Sequence, residues 1–118
     1  MRILFALLLL ASLPLGAVDG ALTKTPWAMY DVSLDFATRA PNGITLVSVT
    51  AYDAADADAT SRIITTVPTP AVFPSSKRVI FRVHAGEANE TFSIAVRVVK
   101  NDTGEKVESV VLLRIAGR

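Results

Sequence analysis

FSIAVRVVKNDTGEKVESVVLLRI, Phe92 to Ile115, is the stretch on which the fold turns. Phe92, Ile94, Val96 and Val98 fall on every second position. Successive side chains of a strand point to opposite faces, so this spacing describes a strand with four apolar residues on one side. Asn101 to Gly104, NDTG, then breaks the run. A four-residue link ending in glycine suits a type I turn whose last residue takes the left-handed conformation. Glu105 to Ile115 returns as the second arm, giving a β-hairpin.

The same rhythm recurs upstream. In YDVSLDF, Tyr30, Val32, Leu34 and Phe36 share one face, and Asp31, Ser33 and Asp35 the other. In KRVIFRVH, Val79, Phe81 and Val83 point inward, with Arg78, Ile80, Arg82 and His84 outward. ITLVSVTAY, Ile44 to Tyr52, switches phase from Ile44 and Leu46 to Val47 and Val49. Either a β-bulge or burial on both faces produces such a switch. RIITTV, Arg62 to Val67, reads as a further short strand. PTPAVFPSS holds Pro68, Pro70 and Pro74, each of which removes a ladder donor. It therefore belongs at a covered edge or a crossover between sheets. Turn clusters recur about every ten residues, and no helical repeat of useful length follows Ala21.

Together these segments describe an all-β protein: an immunoglobulin-like antiparallel β-sandwich of six to seven strands. The cysteine–tryptophan–cysteine signature is absent, and Phe92 stands where a tyrosine corner would place Tyr. Phe81 and Phe92 are expected at the centre of the core. With no cysteine in 118 residues and a composition that is 51% hydrophobic, the core must hold the fold without disulfides.

The chain begins MRILFALLLLASLPLGA. Arg2 precedes a continuous apolar run, Ile3 to Ala11, and Gly16-Ala17 supplies small residues, the pattern of a secretory signal peptide. The run is about half of the roughly 20 residues that a membrane-spanning helix needs. Cleavage after Ala17, Gly20 or Ala21 is compatible with the pattern. Residues 1–20 are therefore read as a signal-like leader and 21–118 as the sandwich domain, with no stable membrane span in the mature form.

The formal net charge is +1 and falls close to zero without Arg2. The basic residues are scattered, which is not the footprint of a nucleic-acid binder. Catalysis is not expected. There is no cysteine, a single histidine (His84), no nucleophile elbow and no glycine-rich phosphate loop. No cofactor is expected. Asp53, Asp56 and Asp58 are weak candidates for a Ca²⁺ loop, which requires about 6–8 oxygen ligands; a solvated loop is the simpler reading. Trp27 and Phe73 are candidate interface residues, because large aromatics outside a core pattern either cover the end of a sandwich or anchor a partner.

KTPWAMYDVSLDF, with Lys24, Pro26, Asp31, Asp35 and Phe36, resembles the opening of the phage fibre-tail adaptor type, a small immunoglobulin-like domain of tailed-phage particles. AGEANETFSIAVRVVKNDTGEKVESVVLLRI resembles that family's closing pattern, and GITLVSVTA fits its middle. The resemblance implies a non-enzymatic structural protein of the virion. It implies assembly in several copies, with itself or with other tail proteins, by protein–protein contacts. A secretion signal is out of place in such a particle. Either the protein is an exported relative, a periplasmic or secreted immunoglobulin-like binding or adhesion module that contacts envelope proteins or glycans, or translation starts downstream, for example at Val18.

Overall fold

The computed structural model describes residues 18–73 and 77–117, apart from the side chains of Val18, Asp19 and Phe73. Met1 to Ala17, which hold the signal-like pattern, lie outside the described residues. Seven strands and one helical turn follow in order: β1 Val18–Lys24, β2 Tyr30–Asp35, β3 Ile44–Tyr52, α1 Thr60–Ile63, β4 Ala71–Phe73, β5 Arg78–Val83, β6 Thr91–Lys100 and β7 Lys106–Ile115. They form a four-stranded sheet in the order β1-β7-β6-β3 and a three-stranded sheet in the order β2-β5-β4. All pairings are antiparallel except β1 with β7. One core cluster draws on both sheets, from Val32, Val79 and Phe81 to Ile94, Val111 and Leu113. The result is an all-β sandwich.

The closing hairpin is the frame. β6 and β7 pair without interruption from Thr91↔Arg114 to Val99↔Lys106. Phe92, Ile94, Val96 and Val98 are all buried, as their spacing requires. Lys100 N donates to Glu105 O at 2.9 Å, and Gly104, at φ +74°, donates to Lys100 O at 2.9 Å. Glycine reaches that left-handed conformation without the Cβ clash that other residues meet. Phe81 and Phe92 are each only 1% exposed and lie in the same core cluster, as expected.

In β3 the phase switch is a bulge. The register steps from Leu46↔Val98 to Ser48↔Arg97, leaving Val47 as the extra, unpaired residue. Ile44, Val49 and Ala51 are buried, while Val47 is 61% exposed. Double-sided burial is thereby excluded: the extra residue corrects the phase by standing outside.

Two expectations are corrected. Arg62–Val67 is not a strand. Thr60–Ile63 forms one helical turn, and only Ile64 bridges β5, at Val83. A strand faces consecutive side chains in opposite directions, whereas here Ile63 and Ile64 are both buried. The turn is set by Asp58, whose Oδ1 accepts from Thr60 N at 2.8 Å and Thr60 Oγ1 at 2.6 Å, while Ala51 N donates to that hydroxyl at 3.0 Å. Tyr30, expected on the core face, is instead 47% exposed; as the first residue of β2 it has no strand neighbour before it to cover its ring. Among the described residues β1 pairs with β7 from Val18↔Val110 onward, so its first described residues are the last three of the segment read as leader. The proline-rich stretch behaves as expected of an edge: among its described residues Ala71–Phe73 pair, with β5 alone.

Candidate interaction site

Three connections gather at one end of the sandwich: residues 25–29 between β1 and β2, residues 53–59 with α1 after β3, and residues 84–90 between β5 and β6. The first carries Trp27, which is 94% exposed, beside the exposed Met29 and Tyr30. Trp27 does not close the open end of the sandwich. It stands clear of it.

That exposure is held by a built turn. Ala28 N donates to Thr25 O at 3.2 Å. Lys24, the last residue of β1, is only 2% exposed, and its Nζ donates to Thr25 O at 2.7 Å and Pro26 O at 3.5 Å. Its own carbonyl accepts from Ala116 N at 2.6 Å. Loss of hydration pushes the Lys24 ammonium below its ordinary titration range. A cation buried on two loop carbonyls fixes the backbone on either side of Pro26, and with it the direction of Trp27. Sequence reasoning missed this role, because Lys24 looks like any scattered surface lysine.

The other two connections are acidic. Glu90 accepts Arg62 Nη2 at 2.9 and 3.0 Å and Glu87 N at 2.8 Å. The Glu87 amide first, and the Arg62 guanidinium second, hold the Glu90 carboxyl below its ordinary range. Arg62 also lies over the Phe92 ring, its Cζ 5.5 Å from the centroid, so it links the acidic rim to the core. A shallow concavity of about 380 Å³ is lined by Asp53, Ala54, Ala55, Asn89, Glu90 and Thr91.

The three aspartates proposed for Ca²⁺ sit in this end region, each with a local position. Asp53 Oδ1 accepts from Ala55 N and Ala57 N, both at 2.9 Å. Asp58 serves Thr60, which lowers its carboxyl from the ordinary range. Asp56 occupies a turn at φ 63°. Among the described residues no group of three or more His, Asp or Glu side chains converges as metal ligands would. Phe73 ends β4 opposite Arg78, and its side chain lies outside the described residues. His84 is half-buried, its amide bonded to Ile63 O at 2.9 Å. No helix among the described residues is long and apolar enough to cross a membrane.

The arrangement can therefore present a rigid aromatic anchor on an acidic rim. No protein-family model matches the chain, and no curated protein matches it either.

Proposed function

We propose that this domain is a non-enzymatic assembly module of immunoglobulin-like fold, of the fibre-tail adaptor type of tailed-phage particles, acting through protein–protein contacts. The strand order supports the immunoglobulin-like reading: a first strand parallel to the last, then β7-β6-β3 on one sheet and β2-β5-β4 on the other. The observation that carries the functional reading is Trp27, 94% exposed on a turn held by the buried Lys24. Leaving a tryptophan in water forgoes the stabilisation that burial would give, and tryptophan is enriched among the residues that dominate binding at interfaces. In the virion the partners would be further tail proteins or further copies of the domain.

The test is particle composition. Particles induced from the host are purified and their proteins identified by mass spectrometry. The adaptor reading expects this chain at a fixed stoichiometry with tail proteins, and expects Trp27→Ala to fold but to be lost from particles. Recovery of the protein only as a free species would refute it.

A second reading, an exported binding module of the periplasm or cell exterior, draws on one specific observation. The described part of β1 begins at Val18, so cleavage after Ala17 would keep every described pairing of β1 with β7. The intact mass of the native product separates the two: a chain starting at Val18 without initiator methionine supports export, and one retaining it supports the particle.

A further inference from the structure

We propose that copies of this chain associate head to tail, the Trp27 turn of one copy seating in a valine-lined groove at the opposite end of the next. The inference rests on the assembly reading and deepens it by naming a self-contact.

The groove lies on the four-stranded sheet beside the β6–β7 turn. It measures about 460 Å³; Val47 and Val99 offer it their side chains, Arg97, Lys106 and Glu108 stand around it, and Val98 and Val107, whose side chains turn to the core, close it from beneath. It depends on the bulge: Val47, unpaired in the ladder, stands 61% exposed over its edge. The bulge keeps Ile44, Val49 and Ala51 on the core face, while the Val47 side chain it expels adds nothing to the core.

Knob and groove cannot meet within one molecule. Trp27 follows Lys24, which pairs with Ile115 at the far end of β7, whereas the groove abuts Lys106 at its beginning. Ten residues of strand put roughly 30 Å between them. Two complementary surfaces at opposite ends make a heterologous contact, which closes into a ring if its rotation allows and otherwise grows as a filament.

Charge follows the same axis. The loops around the Trp27 end carry Asp53, Asp56, Asp58, Glu87 and Glu90 against the single guanidinium of Arg62. At the groove end Arg97 is matched by Glu108 and Lys100 by Glu105 with Asp102 nearby, while Lys77 and Lys106 make no ion pair with a described residue, so cations remain in excess there. An acidic end meeting a basic end steers the encounter and sets its polarity. Arg97 and Lys106 at the groove rim also offer cations to the indole face. The outer face of the three-stranded sheet lacks this character, being covered by the cross-strand pairs Asp31–Arg82 and Asp35–Arg78.

Sedimentation velocity on the native protein tests the contact. The wild type is expected to form species larger than a dimer as concentration rises, and to lose them as salt is added. Trp27→Ala and Val47→Asp each change an exposed side chain, so melting curves should match the wild type. Each should weaken association more than about tenfold. Mixed in equal amounts, the two variants keep one intact joint between them, so they should form a dimer and nothing larger. Lys106→Glu should weaken association without touching the apolar floor. A wild type that stays monomeric at near-millimolar concentration overturns the proposal, as does a variant that assembles like the wild type or a mixture that stays monomeric. A monomeric wild type still found in tail particles would remove this contact and leave the assembly reading standing.

Discussion

Phe92 and Lys24 show what a single residue's sequence context does and does not carry. Phe92 leads an alternating run, so its burial follows from its position alone. Truncating it to Ala should cost about 3–5 kcal/mol, a large share of the roughly 5–15 kcal/mol that holds a typical domain. Thermal melts are expected to leave Phe92→Ala marginal, and a curve that hardly moved would contradict the β6 register. Lys24 is the opposite case: nothing in LTKTPW announces that its ammonium is buried on two carbonyls. Burial lowers its folded-state pKa, so between that lowered value and about 10.4 the unfolded chain binds more protons than the folded one. Folding stability gained from this group therefore rises with pH through that window. Lys24→Met removes the linkage. The melting temperature of Lys24→Met relative to wild type should fall as pH climbs toward about 10, and a difference independent of pH would mean that Lys24 is hydrated. Gly86 adds a steric case. It sits at φ +87°, and a Cβ there would lie 2.9 Å from Ile115 Cγ1 and Cδ1, within the buried core. Gly86→Ala should lower stability by more than the roughly 1 kcal/mol that a compatible site can gain from such a change, as read in denaturant midpoints.

At the scale of elements, the bulge and the first strand make separable claims. Because Val47 has no ladder partner, deleting it should heal β3 into a regular strand, with Leu46 and Ser48 keeping their partners. The variant is expected to keep its far-ultraviolet circular dichroism and most of its stability. Collapse of the fold would mean that the bulge is needed to bend the strand. Among the described residues β1 with β7 is the only parallel pairing, and it runs from Val18↔Val110 to Lys24↔Ile115. Cleavage after Ala21 would remove Val18 to Ala21 and, with them, the pairings to Val110, Val111 and Leu112. A product starting at Leu22 should therefore melt below one starting at Val18. Equal melting temperatures would show that the first half of β1 adds nothing.

For the whole molecule, the carboxylates set the acid limit. Asp31 beside Arg82, Asp58 on Thr60, Glu90 on the Glu87 amide and Asp102 accepting from the Asn42 side-chain amide are all held below their ordinary range. A depressed carboxyl adds stability that is present above its unfolded pKa and is lost as pH falls through the folded value. Denaturant midpoints should hence hold steady down to about pH 5 and decline below about pH 4. A decline beginning near neutrality would contradict this assignment to the carboxylates.

The alternation of side chains was enough to determine an all-β chain, the closing hairpin and its glycine, the inward faces of β5 and β6, and Phe81 and Phe92 at the core. Those features depend on neighbours two residues apart, which a one-dimensional string records. The tertiary structure alone decided the helical turn at Thr60–Ile63, the outward Val47, the end position of Tyr30, the burial of Lys24 and the separation of Trp27 from the valine groove. Each of these depends on which distant strand lies alongside. Backbone groups must find partners and apolar surface must leave water wherever the chain permits, and those opportunities arise only once the two sheets have closed on one another.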